Sequence, residues 1–165
     1  MDSSLQDKVP PHSIEAEQAV LGALLLNWGA MADVVSQLRP DRFYSIQNQT
    51  IFEALLNLYA KNIQGDTLSL INELTVQGKL EAAGGTAYIA SLTDTVPSAA
   101  NIEYYADMVL DRSTRRELIK ISSELKEMIV LEYLSGKGSY NDIAAKYNLR
   151  SKSQLQNWVL LYNAN

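Results

Sequence analysis

The 165 residues, 47% of them hydrophobic, supply enough apolar material for a core, as one domain or two small ones, since domains commonly hold about 100 to 150 residues. The absence of cysteine rules out disulfides, thiolate nucleophiles and cysteine zinc sites; with no apolar run of about 18 residues and no basic-then-apolar order in Met1 to Ser13, a cytoplasmic chain without a membrane partner is expected. The net charge of −5 hides an asymmetry: residues 126–165 carry five Lys or Arg against three Asp or Glu, and residues 1–125 carry nine against sixteen, so nucleic-acid contact is expected only in the last forty residues.

Residues 1–9 show no apolar periodicity and are expected to form a flexible tail. Beyond Pro10 and Pro11, Ser13 is placed to cap a helix whose face is Ala16, Val20, Leu21, Leu24 and Leu25. Asn27, Trp28 and Gly29 turn the chain. Met31, Val34, Val35 and Leu38 then stand at i, i+3, i+4 and i+7, and Pro40 stops the second helix. A third helix, from about Gln47 to Lys61, groups Ile51, Phe52, Leu55, Leu58 and Tyr59. The fourth begins near Asp66 and Thr67, uses Leu68, Ile71 and Leu74, and ends at Gly78, where a left-handed residue costs little. Gly84 and Gly85 turn the chain into a short helix through Tyr88, Ile89 and Leu92 that reaches Pro97. No stretch alternates with period two over a strand's length. The fold class expected is all-α, with a compact multi-helix domain joined by a long helix to a small three-helix helix-turn-helix unit.

Ser98 to Ser135 contains no Gly or Pro over thirty-eight residues. As one helix it would extend roughly 57 Å. Thr114 and Glu117 have capping-box spacing and restart a helix after Ser113, or else face solvent within one continuous helix. Leu118, Ile121, Leu125 and Met128 then recur at spacings of three, four and three, a narrow seam suited to a partner helix of this chain or of a second copy.

The run Val9-Pro10-Pro11-His12-Ser13-Ile14-Glu15-Ala16-Glu17-Gln18-Ala19-Val20-Leu21-Gly22 resembles the opening of the N-terminal domain of DnaB-type bacterial replicative helicases. So do Phe43-Tyr44, Ile51-Phe52-Glu53-Ala54, Gly84-Gly85-Thr86-Ala87-Tyr88-Ile89, and Pro97-Ser98-Ala99-Ala100-Asn101-Ile102 with Tyr105-Ala106. Several blocks in order make the resemblance specific. It implies a helical collar domain over residues 10–124 that self-associates, most simply as a dimer, and helps recruit primase. The resemblance ends near Glu124, before the hairpin, linker and ATPase domain of that family. A phosphate-binding loop needs GxxxxGK[ST], whose amides wrap the phosphates. Gly136-Lys137-Gly138-Ser139 fails this pattern at Leu131 and again at Gly138, and reads as an interhelical turn. No motor and no nucleotide cofactor are expected of these residues.

Residues 125–165 read as a second domain of three helical pieces. Lys126 to Ser135 carries Ile129, Val130, Tyr133 and Leu134; Ser139 and Asp142 start a helix with Ile143, Ala144 and Tyr147; Ser151 and Gln154 form a capping box for a last helix bearing Leu155, Trp158, Val159 and Tyr162. Ile143-Ala144-Ala145-Lys146-Tyr147-Asn148-Leu149, through Leu155-Gln156-Asn157-Trp158 and Tyr162, resembles the N-terminal helix-turn-helix of insertion-sequence transposases. That resemblance implies double-stranded DNA as partner, with the last helix entering the major groove. Arg150 and Lys152 suit phosphate or guanine, Gln156 and Asn157 suit adenine edges, and Ser153 and Gln154 are able to turn outward. The plainer reading makes Gln154 a cap and the others solvated. Leu160 and Leu161, where such transposases often carry basic residues, suit a protein contact instead.

Catalytic signals are thin. His12 is the only histidine, Glu15 and Glu17 are two apart and cannot share a helix face, Tyr104 and Tyr105 suit a core or interface as well as base stacking, and no metal-ligand spacing occurs. The expectation is a non-enzymatic fusion, natural or spliced, in which self-association presents paired DNA-binding units, nucleoid-associated where it binds DNA. The alternative is an assembly scaffold whose C-terminal helices mediate protein contact.

Overall fold

The computed structural model describes residues 9–164, so the flexible tail expected over residues 1–9 falls outside the described residues except for Val9, which is exposed. Eight α-helices account for the described fold, and the chain divides inside the sixth into two packed units, residues 1–116 and 117–165.

In the first unit Ser13 accepts the Ala16 N–H and starts α1 (Ile14–Leu26), which is buried around most of its girth, from Ala16 to Leu24 apart from Gln18. Such enclosure demands small residues where another helix crosses. Gly22 supplies one: a Cβ there would lie 2.1 Å from the Leu92 carbonyl oxygen of α5 (Gly85–Asp94). Ser45 caps α3 (Ile46–Ala60), whose Ile51, Phe52, Leu55 and Leu58 join the same core as Met31 and Val34 of α2 (Met31–Gln37). Tyr59, expected on that face, is 39% exposed and meets Trp28 edge-on at 6.2 Å.

Asp66 and Ser69 close a capping box on α4 (Thr67–Val76). Its buried residues are Leu70, Glu73 and Leu74, with Ile71 beside the two leucines, whereas Leu68 is 77% exposed. At about 100° per residue Leu68 stands about 160° from the buried Leu70 around the axis, so it faces away from the side that packs. Both α3 and α4 end in Schellman turns, with Asn62 at φ 56° and Gly78 at φ 68°. In the second turn the Lys79 N–H reaches the Leu74 carbonyl and the Gly78 N–H the Thr75 carbonyl.

Helix α6 (Ile102–Leu134) runs thirty-three residues without a break. Ser113 is buried and its Oγ receives a 3.4 Å hydrogen bond from Arg42, so it serves packing and does not end a helix. Ile102, Ala106 and Val109 anchor the start of α6 in the first core.

In the second unit, Ile129 and Val130 of α6, Ile143 of α7 (Tyr140–Lys146) and Leu155 and Val159 of α8 (Lys152–Asn163) form a separate core, flanked by Tyr133, Tyr147, Leu149 and Trp158. The piece expected over Lys126 to Ser135 is thus the end of α6, and its Leu134 is 45% exposed. Tyr162 also departs from expectation: it lies in the last turn of α8, beyond Val159, and is 40% exposed. The Ser139–Asp142 capping box is present on α7. Between α7 and α8, Leu149 N–H binds the Ala144 carbonyl and Asn148 N–H the Ala145 carbonyl, with Asn148 left-handed at φ 51°. This is a Schellman turn on asparagine, a residue that tolerates that conformation. The Ser151–Gln154 box does not form, because Gln154 Oε1 accepts the Arg150 N–H at 3.3 Å and Ser151 makes no side-chain cap.

Candidate functional site

Two surfaces and one buried network stand out. The first surface surrounds the start of α8. Arg150, Lys152, Ser153 and Asn157 are exposed there, while Gln154 and Gln156 are half-buried. Leu155 and Val159 fix which side faces inward and so turn Asn157 out, whereas Lys152, at i to their i+3 and i+7, is exposed because it is the first residue of the helix. Among the described residues neither Arg150 nor Lys152 has an ion-pair partner. Because Ser151 leaves the first turn uncapped, free N–H groups add to the positive end of the helix dipole.

The helix-turn-helix is held to α6 by a contact that sequence spacing did not signal. Glu132 accepts hydrogen bonds from Lys146 Nζ and from the Tyr147 hydroxyl. Lys146, then Tyr147, hold the Glu132 carboxyl below its ordinary range, and Glu132 in turn raises both Lys146 and Tyr147. Lys146 is thereby neutralised locally, and the cationic character near α8 comes from Arg150 and Lys152. Lys126 sits over the Trp158 ring at 5.6 Å.

The second surface is the seam on α6. Leu118, Ile121, Leu125 and Met128 are 62%, 59%, 45% and 50% exposed. None joins the second unit's core, which uses Ile129 and Val130 on another side of the helix. Ile119 and Leu131, not part of the expected set, are also exposed apolar residues of this segment.

The network lies in the first unit and was missed in sequence, where Glu17 entered as one letter of the Val9 to Gly22 run and as evidence against a paired-carboxylate site. Glu15 is exposed, but Glu17 is 2% exposed and accepts hydrogen bonds from the Tyr44 N–H, the Ser45 N–H and Asn48 Nδ2. Asn48 Oδ1 accepts from the Tyr88 hydroxyl at 2.6 Å, so α1, the start of α3 and α5 are tied together. Nearby, Arg116 donates to the carbonyls of Pro11 and Arg42, each at 2.7 Å, and lies over Tyr44, on which His12 stacks at 4.2 Å. These groups fasten backbone; no nucleophile and base are brought together by them. Among the described residues no three His, Asp or Glu side chains gather as metal ligands would, and no single helix is long and apolar enough to cross a membrane.

Residues 9–111 match the model of the DnaB-like helicase N-terminal domain, and residues 126–165 match that of a helix-turn-helix domain. The replicative DNA helicase DnaB of Treponema pallidum is 48% identical over 118 residues, covering 72% of this chain and 27% of that protein. DnaB of Geobacillus stearothermophilus is 39% identical over 127 residues, covering 77% and 28%. The chain therefore spans little more than a quarter of the length of these relatives. Among solved structures, the N-terminal domain of DnaB helicase from Mycobacterium tuberculosis aligns with TM-score 0.72 and 33% identity, over 84% of this chain and 95% of that one. A DnaB-like replicative helicase described with its interactions with primase shares the fold, with TM-score 0.64 and 24% identity over 75% and 29%.

Proposed function

The chain belongs to the DnaB-like helicase N-terminal domain family through residues 9–111, and from that membership we propose that residues 10–124 form an assembly and docking domain and residues 125–165 a DNA-binding unit. The carrying observation is the exposed seam Leu118, Ile121, Leu125 and Met128, four apolar side chains in a single row that the described residues leave about half or more exposed. A second copy laid along this row buries all four at once, and apolar burial is the main force in such association. Self-association then presents two helix-turn-helix units together, as two DNA half-sites require. Primase is the docking partner to which family membership points. The proposed role includes no ATP hydrolysis by these residues, whose sequence holds no phosphate-binding loop. Cytoplasmic residence, at the nucleoid when DNA is bound, follows from the same role.

A second reading rests on Leu160 and Leu161, which are 68% and 52% exposed on α8. In it the C-terminal helices touch protein and the whole chain is an assembly scaffold, natural or spliced. Sedimentation with and without duplex DNA, at low and high salt, separates the two. The DNA-binding reading expects a co-sedimenting complex that dissociates as salt rises; the scaffold reading expects an unchanged oligomeric mass and no complex. Leu118→Asp with Leu125→Asp is expected to reduce the oligomer to monomer. A strictly monomeric unsubstituted chain at high concentration removes the assembly role.

A further inference from the structure

We propose that the trough beside the last turns of α6 is a docking site for a basic amphipathic helix from another protein. It encloses about 610 Å³ in the second unit. Glu124, Glu127, Met128 and Leu131 stand along it at i, i+3, i+4 and i+7, one face of α6, with Glu132, Lys137 and Tyr147 forming the other side. Met128 and Leu131 are 50% and 45% exposed and make an apolar floor that the second core does not use.

The charges decide the occupant. Glu132 is already held by Lys146 and Tyr147, and Lys137 adds to the positive field on it. Glu124 has only a loose 3.9 Å contact with Lys120, both side chains being more than half exposed. Glu127 has no hydrogen bond or ion pair among the described residues. An apolar floor edged by two such carboxylates repels nucleic-acid phosphates and anionic lipid. A helix with an apolar i, i+3, i+4 stripe and flanking Lys or Arg meets both features, its stripe on Met128 and Leu131 and its cations at Glu124 and Glu127. Methionine's unbranched, polarizable side chain adapts to varied apolar partners. A second copy in parallel register would bring Glu124 and Glu127 against their own counterparts. The site goes beyond the assembly and DNA-binding roles and requires neither, although Met128 also belongs to the seam.

The test is fluorescence anisotropy on the full chain. The probe is a labelled helical peptide of about 18 residues made only of Leu and Lys, with leucines at helical spacing; its control carries Glu in place of every Lys. The Lys peptide is expected to bind at least about tenfold more tightly than the Glu peptide. Glu124→Lys with Glu127→Lys is expected to weaken it about tenfold, as is Met128→Asp. Asp33→Lys with Glu81→Lys, an equal charge change on exposed residues of the first unit, should leave affinity within about twofold. Equal weakening by both double reversals would show attraction to net charge alone and overturn the proposal. So would a Glu124→Lys, Glu127→Lys variant that changes oligomeric mass yet binds the peptide as before, since the trough would then belong to a second copy. Circular dichroism checks that each variant is folded.

Discussion

The Glu17 carboxylate and the Asn48 amide meet at 2.8 Å in the interior of the first unit, where Asn48 is fully buried and Glu17 nearly so. Among the described residues no cation pairs with Glu17. Its charge is met by the Tyr44 and Ser45 N–H groups at the start of α3, where the helix dipole is positive, and by the Asn48 amide. The expected result of Glu17→Ala is a loss of about 3 kcal/mol in urea unfolding, since it leaves several donors buried without an acceptor. Glu17→Gln keeps an oxygen but introduces donors facing donors, and is expected to cost less than the alanine change and still more than about 1 kcal/mol. An unfolding midpoint unchanged in both variants would mean that the network carries no stability.

Gly22 sets the approach of α1 to α5. An added Cβ would stand 2.1 Å from the Leu92 carbonyl oxygen and 2.4 Å from Val96 Cγ2, and the first of these is backbone. Gly22→Ala therefore forces the helices apart. Thermal unfolding is expected to show at least about 2 kcal/mol of destabilisation, the usual scale of overpacking, even though alanine favours helix more than glycine does. A neutral or stabilised variant would show that the α1–α5 crossing yields easily.

The helical pattern was legible because much of it is local. Ser13, Ser45, Asp66 and Ser139 each accept a backbone N–H where their helices begin, and Met31, Val34 and Leu38 are buried as their spacing predicts. The blocks from Val9 to Gly22, at Phe43-Tyr44 and at Gly84 to Ile89 were legible as a family pattern but silent about why they belong together. Part of that reason is the chain of hydrogen bonds in which Tyr44 N–H and Asn48 donate to Glu17 and the Tyr88 hydroxyl donates to Asn48, a relation between residues 27 to 40 positions apart that no local period reveals. Seen in sequence, Ser151 and Gln154 satisfied a capping rule; in the fold the Gln154 side chain engages Arg150 instead. Glu132 carried no sequence signal, since Lys146 is fourteen residues away. Around α8 the period placed Asn157 outside, Lys152 is exposed through its place at the helix start, and the buried face was overextended to Tyr162, which lies past the reach of the small core.

The Glu132 contact makes the second unit's stability depend on pH at both ends. In the folded state its carboxyl is lowered from 4.5, first by Lys146 and then by Tyr147, so its contribution is present above 4.5 and is lost as pH falls through the lowered native value. Asp142, lowered from 3.8 by Ser139, acts in the same direction. Lys146, raised from 10.5 by Glu132, contributes fully below 10.5 and loses that contribution as pH rises through its raised native value. Trp158 fluorescence, read in a Trp28→Phe background, is expected to show the unit weakening below pH 4.5. Glu132→Gln should lower stability at neutral pH and flatten the acid limb. An acid limb identical in the two proteins would assign the sensitivity to other carboxylates.

Groove recognition by α8 predicts different results from two substitutions at exposed positions of the helix. Lys152→Ala removes a charge suited to phosphate, so duplex affinity is expected to fall for every sequence, and the slope of log affinity against log salt to shrink by about 1. Asn157→Ala removes an amide able to pair with an adenine edge, so its cost is expected only on the preferred duplex, about 1 to 3 kcal/mol, with little change in the salt slope. Neither residue lies in the second core, so both variants should unfold like the parent. If the pair of substitutions together leaves duplex affinity and salt slope unaltered, α8 does not face DNA. The exposed Leu160 and Leu161 then mark the surface on which to look for a protein partner.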